Sequence, residues 1–336
     1  MRSTWESFFA EWLPPLEAEM RQAVGEPTHP GEQLFYGMLM YHLGWADAQL
    51  RPARVDAGKR IRPMLCLLAC AAGGGDPAQA LPAAAAIELL HNFSLIHDDI
   101  QDRSQTRRGR PTVWALWGVA QAINAGDALF VIAHRALWHL RQRGVPAERI
   151  LEVAERFDAA CLMLTKGQHL DLAFETADRV TVADYLEMIR GKTAALLAAS
   201  LGIGARLAGF PPQELEAFGE ALGMAFQVQD DLLGIWGDPT ATGKPVADDL
   251  RARKKTLPVI YAMERAPGFA ERYRAPDTPL EVLLRDLEAC GARAEAEATA
   301  AVFTRQALEA LERAGLRNPY GEALRELALA LLSRSR

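Results

Sequence analysis

Five aspartates in two strings are the residues of this chain best suited to chemistry: Asp98, Asp99 and Asp102 in HDDIQD, and Asp230 and Asp231 in FQVQDDLLG. Each string lies in a long apolar stretch of helical period, where an ionised carboxylate without a partner is costly to hold. Cations must meet them. On a helix, Asp98 and Asp102 stand at i and i+4 and share a face, and His91, seven residues earlier, falls on that face as well. Oxygen donors with no cysteine close by suit a hard divalent ion that keeps several waters, and magnesium fits best. Magnesium held by one or two carboxylates usually completes its shell with phosphate oxygens, so the implied substrate is a diphosphate.

The basic residues gather around the same strings. Gly58, Lys59, Arg60 and Arg62 precede the first in AGKRIRP, Arg107, Arg108 and Arg110 follow it in TRRGRP, and Lys244, Lys254 and Lys255 follow the second. Arginine offers phosphate a bidentate fork and lysine a point charge. A charge run at a helix end is most often only a solvated face. The combination of these runs with two aspartate strings is what points to an anion site.

The elements that must position these residues are helical. Apolar residues recur at spacings of three and four almost throughout, and alternating β-branched runs are scarce, which predicts an all-α chain. Helices are expected over about 6–22, 31–50, 59–73, 77–102, 111–142, 146–176, 181–208, 212–236, 254–265, 278–289, 291–315 and 318–333. They are expected to form one large bundle, a single domain over 1–336. Proline opens helices at Asp76-Pro77 and at Phe210-Pro211-Pro212, where its missing N–H does no harm. The polar stretch 237–256 follows the second aspartate string and has the composition of an active-site lid. Of the 336 residues 50% are hydrophobic, enough for a substantial core, and the net charge of −6 argues against a general nucleic-acid binder. Cys66, Cys70, Cys161 and Cys290 show no CxxC spacing and read as buried, reduced thiols. With no apolar leader core and no uninterrupted apolar run of membrane length, a soluble cytoplasmic protein is expected.

The chain resembles the trans-isoprenyl diphosphate synthases, the polyprenyl synthetase family, from about 58 to 258. The motifs run in the family's order: GKRIRP, ELLHNFSLIHDDIQDRSQTRRGRP, GKTA at 191–194, FQVQDDLLGIWGD, then TGKP and DLRARKKTLP. The resemblance implies the isoprenoid synthase helical fold with a central active-site cavity, and head-to-tail condensation of isopentenyl diphosphate with an allylic diphosphate. It implies about three magnesium ions held by Asp98, Asp102 and Asp230, with Asp99 and Asp231 supporting them. Arg107, Lys192, Thr193, Gln227, Lys244 and Lys254 match positions that hold the allylic diphosphate or the charge developing near it. Gly58, Lys59, Arg62, His91 and Arg108 match the metal-free pocket for isopentenyl diphosphate. A homodimer is implied through the apolar segment 111–142.

The chain also departs from the family pattern. The second motif has Gly234 where many relatives carry a third aspartate, and Trp114 stands where many have histidine. A class I terpene cyclase would carry an Asn/Asp, Ser/Thr, Glu triad in place of DDLLGIWGD, and a non-catalytic regulatory subunit would have eroded aspartate motifs. For product length, Phe93 is five positions before Asp98, where the family often places the floor of its elongation pocket, with Ser94 beside it and Leu90 one turn further down. A single aromatic there implies a C20 product, geranylgeranyl diphosphate, with C15 farnesyl diphosphate the alternative.

Overall fold

The computed structural model describes residues 3–55, 58–237 and 247–333. Among them the chain is helical apart from one two-stranded hairpin and an isolated bridge between Ala46 and Pro52. The α-helices are α1 (Thr4–Val24), α2 (Gln33–His42), α3 (Ile61–Ala72), α4 (Pro77–Gln101), α5 (Val113–Trp117), α6 (Val119–Leu137), α7 (Ala147–Thr176), α8 (Val182–Ile189), α9 (Ala195–Ala208) and α10 (Gln213–Trp236). There follow α11 (Asp248–Arg251), α12 (Leu257–Arg265), α13 (Phe269–Arg274), α14 (Leu280–Ala289), α15 (Ala292–Ala314) and α16 (Pro319–Leu332). The backbone divides into two compact units, one of Met1–Phe157 with Ser200–Pro211, the other of Asp158–Ala199 with Pro212–Arg336.

Within the first unit, α3 and α4 form the centre. Residues Met64 to Ala72 of α3 are all buried, and α4 buries the run Ala83–Leu90. Small residues allow close helix contact: a Cβ on Gly204 would stand 2.1 Å from the carbonyl oxygen of Cys66. Pro77 opens α4, and the Asp76 carboxylate accepts from the Ala78 N–H at 2.9 Å, capping the helix that carries the first aspartate string. Strands β1 (Thr106–Arg107) and β2 (Arg110–Pro111) close directly after α4. Their two-residue turn, Arg108-Gly109, has φ of 51° and 71°, the double positive φ of a tight hairpin.

Within the second unit, α10 and α15 lie at the centre of a core that includes Tyr185, Met188, Met224, Val228, Leu257 and Phe269. The chain over 190–194 makes a π-helical turn, which separates α8 from α9. Glycine explains its position: a Cβ on Gly167 of α7 would meet the Lys192 nitrogen at 2.1 Å, and one on Gly191 would meet the Met163 carbonyl oxygen at 2.7 Å.

Local breaks account for the differences from the expected helices. The segment 31–50 stops being α-helical at His42, and Gly44 follows with φ of 83°. Gly118, also at φ 83°, splits 111–142 into α5 and α6, and 138–143 tightens into a 3₁₀ turn. The short helices α11 and α13 had no periodic signal long enough to read.

Candidate functional site

In the first unit, α4 presents Asp98 and Asp102 one turn apart, and its last turn buries Asp99 at 1% exposure. Hairpin residue Arg107 reaches back across the string. Its Nε donates to Asp99 Oδ1 at 2.8 Å and its Nη2 to Asp98 Oδ2 at 3.1 Å. Burial pushes the Asp99 carboxyl up to about 6 despite that arginine, and Asp99 Oδ2 is enclosed with no hydrogen-bond partner. Asp98 and Asp102 are the more accessible members, at the intermediate and exposed levels respectively. Oxygen donors at i and i+4 on an accessible helix end fit a hard divalent cation. His97 is turned elsewhere, with its Nε2 3.6 Å from Asp127 on α6.

Beside this string lies a pocket of cations. Arg62 Nη1 donates to His91 Nε2 at 3.3 Å, so the imidazole proton belongs on Nδ1. Burial first, then the positive charge of Arg62, Arg108, Arg107 and Arg60, holds His91 well below its ordinary pKa and keeps the ring neutral. Arg62 Nε is enclosed without a partner. Arg108 lies over Gly58, whose absent side chain makes the room: a Cβ there would be 2.5 Å from Arg108 Nη2. Lys59 is exposed at the rim. Arg60, at φ 50° and buried, bonds Glu17 at 2.9 Å, Glu88 at 2.8 Å and the Leu43 carbonyl at 3.0 Å. Asn92 donates to Glu88 at 2.9 Å, tying this buried network to α4 next to His91.

In the second unit, Asp230 is exposed on α10 and Asp231 is buried beside it. Asp231 Oδ2 accepts from the Tyr185 hydroxyl at 2.5 Å and the Leu257 N–H at 2.8 Å, and Oδ1 accepts from Gln227 Nε2 at 3.2 Å. Burial outweighs these bonds and raises its pKa to about 7. Thr193 Oγ1 donates to Gln227 Oε1 at 2.9 Å. Lys192, in the π-helical turn, sets its Nζ 2.5 Å from Asp171 Oδ2 on α7. Lys254 is held by its backbone: its N–H donates to the Asp249 carbonyl at 3.0 Å, and its carbonyl accepts from the Tyr273 hydroxyl at 2.6 Å.

Several sequence expectations acquire structural detail. Asp99 and Asp231, grouped with the ion ligands by resemblance, are the two buried members, and protein donors already bond them. Lys255 donates to backbone carbonyls at and just past the end of α7, to Phe174 and to Ala177, the latter at 2.6 Å. Lys244 lies outside the described residues. A side chain at Gly234 has no room, because a Cβ there would stand 1.8 Å from the buried Asp249 carboxylate, which reaches over from α11. Trp114 donates from Nε1 to the Ser104 carbonyl at 2.9 Å and so anchors the turn leading into the hairpin. Phe93 packs against Phe130 of α6 with ring centres 5.0 Å apart, Ser94 bonds the His91 carbonyl at 2.7 Å, and Leu90 is fully buried. Tyr185 was not singled out from sequence, whereas Asp249 entered only as the first residue of the DLRARKKTLP motif and Phe130 only as part of the apolar segment 111–142.

The polyprenyl synthetase family model matches residues 48–275. The chain is 42% identical over 312 residues to a (2E,6E)-farnesyl diphosphate synthase of Mycobacterium bovis, covering 88% of this chain and 85% of that one. It is 48% identical over 246 residues to a geranylgeranyl diphosphate synthase of Mycobacterium tuberculosis, covering 71% and 69%. Its fold is similar to the crystal structure of a geranylgeranyl pyrophosphate synthetase from Pyrococcus horikoshii, with a TM-score of 0.86, 33% identity and coverage of 98% and 99%.

Proposed function

The chain belongs to the polyprenyl synthetase family, and on that premise we propose that it condenses isopentenyl diphosphate with an allylic diphosphate, head to tail, to give geranylgeranyl diphosphate. The observation that carries the reading is the cation pocket of the first unit. There Arg62, with an enclosed and unpartnered Nε, stands against a neutral His91, with Arg108 alongside. A half-buried guanidinium with an enclosed, unpartnered Nε beside further positive charge calls for an anion. Isopentenyl diphosphate is the substrate of that place.

Asp98, Asp102 and Asp230 are the carboxylates that hold magnesium, about three ions in all. When bound, magnesium neutralises charge on the departing diphosphate. Arg107 and Lys192 add fixed positive charge as the allylic C–O bond breaks, which lowers the barrier electrostatically. The π electrons of the isopentenyl double bond then attack the carbocation, forming the new C–C bond. A proton leaves the adjacent carbon for the released diphosphate, whose oxygens are the base that the reaction itself supplies. Oxygens of Thr193 and Gln227 offer the cation partial negative charge without a nucleophile that would quench it.

Phe93, backed by Phe130, is the floor that stops elongation at C20, with Ser94 and Leu90 beside it. The protein works as a homodimer through α5 and α6, where Leu116, Val119, Ile123 and Val131 are all more than a third exposed. No described helix is long and apolar enough to cross a membrane. Mass spectrometry of products from isopentenyl diphosphate with C5, C10 and C15 allylic primers tests the activity. Absence of any longer prenyl diphosphate with all three overturns it, and a C15 end product overturns the floor. Light scattering that reports a monomer of 36.8 kDa overturns the dimer.

A further inference from the structure

Tyr185 has no part in the chemistry above, yet its ring is 1% exposed and its hydroxyl is committed to Asp231. Asp231 receives two other donors from different places. One is the N–H of Leu257, the first residue of α12. Thr256, in the position from which a side chain normally caps this helix, makes no cap, and its Oγ1 is enclosed without a partner. Asp231 takes over that role from α10. The second donor is Gln227 Nε2, and because Thr193 donates to the other end of the same amide, both ends of Gln227 are fixed.

We infer that Tyr185 is a positioning residue for the second acidic site, acting through Asp231 to fix the Gln227 amide and to hold the first turn of α12. This rests on the proposed function for the role of Gln227, whereas the clamp on α12 stands on the hydrogen bonds alone. A carboxylate oxygen shared by Tyr185 and Leu257 loses one of its two tethers when the hydroxyl is removed, and the carboxylate gains freedom to rotate. Gln227 then loses its fixed partner. A displacement of about 1 Å at a reacting centre can cost up to about a hundred-fold in rate, so a partial loss of positioning has a measurable cost.

Tyr185→Phe removes only the hydroxyl and keeps the ring in its packing. The expected result is a fall in kcat of about tenfold with KM for isopentenyl diphosphate changed by no more than about twofold. In the magnesium-free protein, hydrogen exchange at the Leu257 amide should rise by about tenfold. Combined with Gln227→Ala, the substitution should cost kcat no further, since both act on one amide. Asp231→Asn separates the two effects. It keeps an acceptor for Tyr185 and Leu257 but turns an NH₂ toward Gln227 Nε2, so kcat should fall while Leu257 stays protected. Wild-type kcat in either single variant, wild-type exchange in Tyr185→Phe, or additive losses in the double variant would overturn the inference. A Tyr185→Phe variant that does not fold would also overturn the inference, because the hydroxyl would then be structural rather than positioning. An inactive wild-type protein would instead overturn the proposed function and leave the exchange measurement to judge the clamp.

Discussion

Both aspartate strings leave their first carboxylate accessible and bury the second, but they satisfy the buried one by opposite means. On α4 the partner is a charge: Arg107 binds Asp99 and Asp98 together. On α10 the partners are neutral, a phenol, a backbone N–H and an amide, all on Asp231. The first arrangement stands in a region rich in arginine, where an anion can be held without a metal. Among the described residues no arginine bonds Asp230 or Asp231, so an anion brought to Asp230 is expected to come with its own cations. Under the proposed function, the metal-free diphosphate pocket is expected beside the first string.

The largest effect tests what the two regions share. Asp98→Ala and Asp230→Ala should each lower turnover by about a hundred-fold or more with an unchanged circular dichroism spectrum. Near-normal turnover in either folded variant would leave only one of the strings with a role in ionisation.

Next in size is a stability contrast. Arg107→Leu strands Asp99, whose burial already raises its pKa, and should cost about 2 kcal/mol in urea unfolding. Tyr185→Phe leaves Asp231 with two donors and should cost about 1 kcal/mol. Equal costs would mean that charge and neutral donors are interchangeable here, and the contrast would fail.

Kinetics separate the regions further. Lys59→Ala and Arg62→Ala should raise KM for isopentenyl diphosphate about tenfold while KM for the allylic substrate changes little. Lys192→Ala should instead lower kcat. Identical patterns from the two sets, with each substrate varied in turn, would remove the two-pocket assignment.

The smallest effect concerns pH. His42, in the first unit, is held down to about 3 by burial and by the positive charge of Arg107, Arg108, Arg60 and Arg110. A histidine depressed in the folded state supplies stability that is full above its ordinary value of 6.5 and is lost as pH falls toward about 3. Between about pH 7 and about pH 5.5 the His42 share of stability should fall by about 1 kcal/mol, beside a like loss from His91 and gains from the raised carboxyls of Asp99 and Asp231, so the difference between wild type and His42→Gln should change by that amount. Urea unfolding of both proteins across that range checks it. A difference between wild type and variant that stays constant with pH would show that His42 contributes nothing to it.

Much of this was legible in the sequence because it is local. Proline and Asp76 mark the start of α4, and the four-residue spacing puts Asp98 and Asp102 on one face. Periodicity also found the long helices. It failed at α11 and α13, too short to show a period, and at Gly118, where one glycine ends a helix inside an apolar run.

The order of motifs along the chain determined the family, the cation-rich neighbourhood of the first string, and the residue types able to hold a diphosphate. Tertiary structure decided which aspartate of each pair is exposed and what satisfies its neighbour. Asp231 depends on Tyr185, 46 residues before it, and on Leu257, 26 residues after it, and the space over Gly234 is filled by Asp249 from another helix. The physical reason is that a helical period fixes only which side chains share a face. Burial, and the donor that must then answer a buried carboxylate, depend on what packs against that face, which no local spacing records.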